Sequence, residues 1–169
     1  MKLYSYCIPY DDGAAPNPYW GICTLTICKP KIRKTASIGD WVIGTGSKDV
    51  PGHGDLSNKV VYAMKITDKK TLAEYDEFCR EEYPKKIPDW THRDHRIRLG
   101  DCIYDFSQDL PKQRPGVHNE DNYDKDLSGK NSLISNHFYY FGDKPIDLPK
   151  YLRPIVRQGQ GHRSDSNEP

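Results

Sequence analysis

The stretch "TASIGDWVIGTGSK" (residues 35–48) holds a short apolar run between two glycine-rich turns and ends in small polar residues. On strand alternation Trp41, Ile43 and Thr45 point one way and Val42, Gly44 and Gly46 the other, so the second face loses its side chains toward its end. Glycine inside a strand weakens it, and marks a bulge, a barrel corner or a close approach by a ligand or another backbone. "TGSK" (residues 45–48) then supplies backbone N–H groups, a hydroxyl and an ammonium, the mixture that phosphates or base edges need. A barrel corner and a ligand wall are both open readings of this strand.

The neighbouring segments set the fold class. "KLYSYCI" (residues 2–8) alternates Tyr4, Tyr6 and Ile8 against Leu3, Ser5 and Cys7, and "ICTLTIC" (residues 22–28) and "KVVYAMKIT" (residues 59–67) are further strands. "KPKIRK" (residues 29–34) reads as a basic connector. The spacing of Leu72, Tyr75, Phe78 and Cys79 predicts an amphipathic helix over residues 71–83, opened by Thr71 with Glu74 three residues on as a capping box. "DCIYDF" (residues 101–106) and "SLISNHFYYFG" (residues 132–142) are expected strands, separated by a long polar segment at residues 107–131. The sum is an α+β chain: a small, mainly antiparallel curled sheet or barrel with one clear helix. One domain is expected over residues 1–158, followed by a basic, partly flexible tail at residues 159–169 that holds a short helix near Pro154 before it and then frays.

Composition narrows the function classes. With 25 Lys+Arg against 24 Asp+Glu, net charge does not announce a nucleic-acid partner, so any such role lies in the charge distribution. Residues 13–39 contain no acid and carry Lys29, Lys31, Arg33 and Lys34; residues 150–163 are also acid-free and carry Lys150, Arg153, Arg157 and Arg163. If they share a face they form a phosphate-tracking rim; otherwise they are solvated surface. Twelve tyrosines against four phenylalanines favour half-buried positions, pockets and interfaces. No leader pattern and no membrane-length apolar run occurs, so a soluble, cytoplasmic protein is expected. Cys7, Cys23, Cys28, Cys79 and Cys102 include no C-x-x-C pair and read as buried thiols, and Cys23, Cys28 and His53 lack metal-site spacing. No dinucleotide or triphosphate cradle is present, and no cofactor or metal is expected.

The blocks "APNPYWG", "GDWVIGTGSK", "VVYAMKIT", "GDCIYDF", "FYYFG" and the terminal "GHR", in this order, resemble the bacterial and phage nucleotide-modification-associated domain, second family. A Gly-Asp turn feeding an apolar strand and then "VVYAMKI" is also similar to the PUA-like superfamily, with its ASCH, EVE and YTH domains. The resemblance implies a PUA-like curled sheet with a pocket for a base, often a chemically modified one.

Under that reading Asn17, Tyr19 and Trp20, in a proline-rich loop, present an amide and two rings to an unstacked base. The alternative is that Trp20 plugs the core and Asn17 makes an Asx turn. Gly44, Ser47 and Lys48 supply the bare face and its polar end, and Asn136, His137 and Tyr139 come from the segment densest in polar and aromatic groups. One face of that segment must be core, so at most half of it lines a pocket. Arg153, Arg157, His162 and Arg163 are the expected phosphate contacts, and His92 and His95 read as solvated surface. The expected function is non-catalytic binding of a modified base or nucleotide, in nucleic acid or free, within a bacterial or phage modification or defence system and with a possible protein partner there. The alternatives are an enzyme acting on a nucleotide or base, using residues such as Asp40, Asp101 or His137, and an interaction subunit with a vestigial pocket.

Overall fold

The computed structural model describes residues 1–157, 159 and 161–166. In chain order their strands and α-helices are β1 (Lys2–Ile8), β2 (Cys23–Leu25), α1 (Pro30–Thr35), β3 (Trp41–Gly46), β4 (Lys59–Lys65), β5 (Asp68–Thr71), α2 (Leu72–Glu81), α3 (His95–Arg98), β6 (Tyr104–Asp105), β7 (Lys112–Gln113), α4 (Tyr123–Leu127), β8 (Asn131–Ser135), β9 (His137–Tyr140), β10 (Ile146–Asp147) and β11 (Arg163–Ser166). The class is α+β, with mainly antiparallel sheets that stay open rather than closing into a barrel. Among the described residues no helix is long and apolar enough to cross a membrane.

The chain divides into two compact units: unit 1 is Met1–Asp11, Ala36–Thr67 and Ser135–Pro169, and unit 2 is Asp12–Thr35 and Asp68–Ile134. Unit 1 is built on a sheet of order β10-β4-β3-β1-β11, with β9 also paired to β4. β1 and β3 run parallel, Leu3 opposite Trp41 through Ile8 opposite Gly46. A parallel pair needs a long crossover, and the connection between these two strands contains all of Asp12–Thr35. The bare face of β3 is filled from within: a Cβ at Gly44 would lie 2.4 Å from Ile8 Cδ1 and 2.5 Å from the Tyr62 ring, and one at Gly46 would lie 2.5 Å from Leu56 Cβ. The glycines therefore admit the chain's own side chains, at a strand whose register against β4 shifts between Gly44 and Thr45. Tyr6 and Tyr62, both buried, pair their hydroxyls at 3.0 Å.

The chain end departs from the expected fraying. Residues Arg163–Ser166 pair antiparallel with β1, Lys2 opposite Ser166 through Ser5 opposite Arg163, because β1 otherwise presents an unpaired edge. Residues 158, 160 and 167–169 of the expected tail and its boundary lie outside the described residues. A 3-10 helix at Lys150–Ile155 contains Pro154.

Unit 2 has a small sheet, β2-β8-β5, and the ribbon β6-β7. α2 starts as its sequence predicts, with the Thr71 side chain accepting from the Glu74 N–H and the Glu74 carboxylate accepting from the Thr71 N–H at 2.7 Å. "KPKIRK" is a helix rather than a connector: Pro30 occupies its first position, and Ile32 and Arg33 turn inward. "SLISNHFYYFG" is two strands, β8 and β9, belonging to different sheets. The break is local, since Ser135 Oγ donates to the His137 carbonyl at 2.8 Å and accepts from the His137 N–H at 3.0 Å, which ends the run at Asn136. The interior of unit 2 carries charge: Arg33, Lys86, Asp76, Asp101 and Asp126 are each 0% or 1% exposed.

Candidate functional site

The residues expected to bind a base fall in both units, and each group is built by its own surroundings. In unit 1, His137 and Tyr139 are exposed on β9 and stack edge to face, 5.9 Å between ring centres, and His137 meets Trp41 in the same way at 5.3 Å. Asn136 is exposed at the corner, and its N–H donates to Thr67 Oγ1 at 3.1 Å. Lys48 is exposed, and Ser47 Oγ is buried with no partner among the described residues. Gly44 offers no open face, because Ile8 and Tyr62 occupy it. A cavity in this unit, lined by Ile8, Tyr10, Gly46, His53, Leu56 and Val61 among others, has a volume of about 160 Å³. That is below the roughly 300–1,000 Å³ of typical ligand pockets. Of the expected phosphate contacts, Arg153 and Arg157 are exposed, His162 packs its ring 6.1 Å from that of Tyr4, and Arg163 donates from Nη1 to the Pro154 carbonyl.

In unit 2, Asn17 is fully buried. Its Nδ2 donates to the Leu99 carbonyl at 2.9 Å, and its Oδ1 accepts from Lys86 Nζ at 2.7 Å, so its amide serves the interior. Lys86 Nζ also reaches the carbonyls of Asn17 and Ile22 and Thr24 Oγ1, and burial lowers its pKa. Tyr19 and Trp20 stay partly exposed, their rings 6.5 Å apart. Lys85 Nζ and the Arg96 guanidinium lie 4.6 Å and 4.9 Å from the Trp20 ring centre, and His95 meets Tyr19 edge to face at 6.3 Å. Cations held over an indole gain about 0.5–1 kcal/mol each at exposed sites. Trp20 has φ +70°, and its Nε1 is buried with no partner among the described residues. Arg96 is fixed from the other side by Asp94, Nη2 to Oδ2 at 2.7 Å.

A second constellation in unit 2 escaped the sequence. Cys28 Sγ lies 3.4 Å from His118 Nε2, and His118 Nδ1 lies 2.5 Å from Asp126 Oδ2. Asp126 also accepts from Tyr104 Oη at 3.0 Å and from the Cys28 N–H at 2.9 Å. Arg33 closes the group: Nε donates to the Cys28 carbonyl at 2.7 Å, Nη1 to that of Asn131 at 3.0 Å and Nη2 to that of Asp126 at 2.5 Å. Gly129 makes room for this guanidinium, since a Cβ there would lie 2.4 Å from Arg33 Cζ. Burial depresses the Arg33 pKa to about 10, partly offset by Asp126. Burial also disfavours charge on His118, but its bonds to Asp126 and Cys28 prevail and its pKa is pushed up to about 10. Cys28 and Lys29 both have positive φ, +57° and +40°. Such backbone persists only when its surroundings over-determine it, as the bonds on both sides of Cys28 do here.

His118 also stands in the wall of an open groove of about 660 Å³, with Trp90, Gln113, Arg114, Gly116 and Asn119. Trp90 is 50% exposed. Gln113 Nε2 donates to the His118 carbonyl at 2.9 Å, while its Oε1 is buried without a partner among the described residues. No local pattern announces this group, because His118 and Asp126 stand 90 and 98 residues from Cys28. The available signal was a thiol placed just before a proline-started helix. All five cysteines are thiols, and among the described residues no group of three His, Cys, Asp or Glu side chains is placed to hold a metal ion.

The chain is thus an α+β protein whose unit 2 carries cations stacked on an indole and a hydrogen-bonded thiol–imidazole–carboxylate chain. The family model described as nucleotide modification associated domain 2 matches residues 1–169, and the chain belongs to that family. Involvement in nucleotide modification is what the family's description implies. No curated protein and no solved structure matches the chain.

Proposed function

We propose that the protein binds a modified base or nucleotide as a component of a bacterial or phage nucleotide-modification or defence system. The observation that carries this reading is the Trp20 cluster of unit 2, where Lys85 and Arg96 sit over the indole and Tyr19 and His95 flank it. Rings give a base a stacking surface, and cations pre-positioned on a ring lose little entropy in meeting a phosphate. The buried Trp20 Nε1 supports it further, because an acceptor on the ligand would relieve an unpaired donor. In unit 1, His137 and Tyr139 are the alternative stacking pair, with Arg153, Arg157, His162 and Arg163 as proposed phosphate contacts.

A binding screen with nucleotides and short single strands carrying different base modifications, on the parent, Trp20→Ala and Tyr139→Ala, tests this. A stacking ring removed should cost about 1–3 kcal/mol of binding free energy. Loss in Trp20→Ala alone places the base in unit 2, and loss in Tyr139→Ala alone moves it to unit 1. Unchanged affinity in both folded variants rejects the stacking assignment. Phosphate contacts in unit 1 are best tested by Arg153→Ala and Arg157→Ala, each expected to flatten the salt dependence; truncation at residue 159 would also remove a strand that pairs with β1.

The second reading, an enzyme acting on a nucleotide or base, is favoured by the contact of Cys28 with His118.

A further inference from the structure

We propose that unit 2 is a cysteine acyl-transfer centre, with Cys28 as nucleophile, His118 as general base and acid and Asp126 as positioning residue, acting on an amide or ester carbonyl attached to a base or nucleotide. The thiol chemistry stands on the geometry of unit 2 alone. The base or nucleotide portion of the substrate rests on the function proposed above.

The ordered chain Sγ···Nε2 at 3.4 Å and Nδ1···Oδ2 at 2.5 Å gives each group one task. Asp126 fixes the ring so that Nε2, not Nδ1, faces the thiol, and its carboxylate favours the imidazolium that forms when the thiol gives up its proton. Asp126 is itself held by Tyr104 and by the Cys28 N–H, so the ring is oriented by a carboxylate that has no freedom to turn away. A packing contact alone would not call for a nucleophile on strained backbone, held at its N–H by Asp126 and at its carbonyl by Arg33. Cys28 is also only partly buried, whereas Cys23, Cys79 and Cys102 are buried.

The steps balance without any oxidant or reductant. The Cys28 proton passes to His118 Nε2, giving the imidazolium that Asp126 holds, and Sγ then bonds to the substrate carbonyl carbon as a thiolate. The carbon–nitrogen or carbon–oxygen bond of the substrate then breaks, and the departing amine or alcohol receives that proton from His118, leaving a thioester on Cys28. Water attacks the thioester while His118 takes one of its protons. The carbon–sulfur bond breaks, a carboxylic acid leaves and Sγ recovers its proton. Amide plus water has become acid plus amine. The Cys28 N–H is committed to Asp126 and so does not serve the oxyanion of either tetrahedral adduct.

The groove beside His118 points to the substrate class. Trp90 offers an exposed ring face for a base, and the unpaired Gln113 Oε1 calls for an N–H donor, which an N-acylated exocyclic amine or a base edge supplies. The volume of about 660 Å³ admits a nucleotide.

Two probes test the proposal on the full chain. With limiting iodoacetamide and peptide mass mapping at neutral pH, Cys28 should alkylate faster than Cys7, the other partly buried thiol. With para-nitrophenyl acetate the protein should release a burst of nitrophenolate and carry one acetyl group on Cys28. His118→Gln should slow acetylation by about 10²–10⁴-fold, the contribution of a general base. Cys28→Ser, which keeps the size of the side chain, should abolish the burst with the far-UV circular dichroism unchanged, and it decides the matter even if His118→Gln fails to fold. Alkylation of Cys28 no faster than that of Cys7, or a burst that survives in Cys28→Ser, overturns the thiol centre. An N-acetylated cytidine monophosphate is the probe of substrate class: acetate release that Cys28→Ser abolishes supports it. No release from a chain that still shows the nitrophenolate burst overturns the nucleotide assignment and leaves the thiol centre standing.

Discussion

Both units bury hydroxyls, but among the described residues the charged side chains at 1% exposure or less all lie in unit 2. Asp40 of unit 1 is 6% exposed and accepts from the Lys2 and Ser37 N–H groups. In unit 1 the fully buried polar contacts are of the kind made by Tyr6 with Tyr62, or by Ser5 Oγ with the Ile155 carbonyl, beside an apolar cluster of Leu3, Val60, Leu148 and Ile155. In unit 2 an arginine, a lysine and three aspartates are at most 1% exposed. Neutral pairs cost little to bury and contribute about 0.5–1.5 kcal/mol each. Buried ions are expensive unless every donor and acceptor is met, and replacing them with apolar side chains is often neutral or stabilising. A chain that retains five of them in one unit has spent stability there, and the same unit holds both the stacked cations of Trp20 and the Cys28–His118–Asp126 chain. Perturbed ionisable groups in such surroundings are functional-site candidates.

The contrast breaks most visibly at Asp126. Asp126→Ala removes the carboxylate that faces Arg33, His118, Tyr104 and the Cys28 N–H, and should destabilise by about 3–5 kcal/mol in urea unfolding, because it strands a buried guanidinium. A loss under 1 kcal/mol would mean that the carbonyls of Cys28, Asn131 and Asp126 satisfy Arg33 by themselves.

Next comes the pH dependence of unit 2. The folded His118 pKa of about 10 lies above its ordinary 6.5, so the imidazolium's contribution is complete below the lower value and is lost as pH rises toward the upper one. The groups facing this ring are Asp126 and Cys28, with Arg33 and Tyr104 on the far side of Asp126; burial and Asp126 both raise the Tyr104 phenol pKa. Unfolding free energy measured from pH 6 to 10 should fall in the parent and stay flatter in His118→Gln. Parallel curves would remove the stabilised imidazolium.

In unit 1 the largest effect is steric. Gly44→Ala should cost about 1–3 kcal/mol, because its Cβ meets Ile8 and the Tyr62 ring in a filled core. A neutral result would reopen the bare face as a ligand wall. The smallest effect is expected for Tyr62→Phe, about 1 kcal/mol from one lost hydroxyl contact with Tyr6. A cost as large as that of Asp126→Ala would erase the difference between the two interiors.

Local signals were legible wherever the deciding neighbours lay close in the chain. β1, β3, β4 and the capped start of α2 follow from period-two alternation, from the glycine-bounded run at residues 35–48 and from Thr71 with Glu74. β8 and β9 read as one strand because their residues alternate continuously, and only the Ser135 side chain bonding to both backbone groups of His137 ends the ladder. The site was less legible. Tyr19 and Trp20 stand out as rings in a proline-rich loop, but the cations that give them a role come from Lys85 and Arg96, whose positions carry no pattern. Asn17 looked like a presented amide and is the anchor of a buried lysine.

By itself, then, the sequence determined an α+β class, the main strands and helix, and the family to which the chain belongs, since these rest on periodicity, capping and ordered blocks that survive without any fold. Tertiary structure alone decided that the bare face of β3 is filled by Ile8 and Tyr62, that Arg33 turns inward and that Cys28 meets His118. The physical reason is range. A hydrogen bond acts over about 3 Å in space, while its partners here stand 90 residues apart along the chain, and no local propensity of a cysteine, a histidine or an aspartate encodes which of the others it will meet.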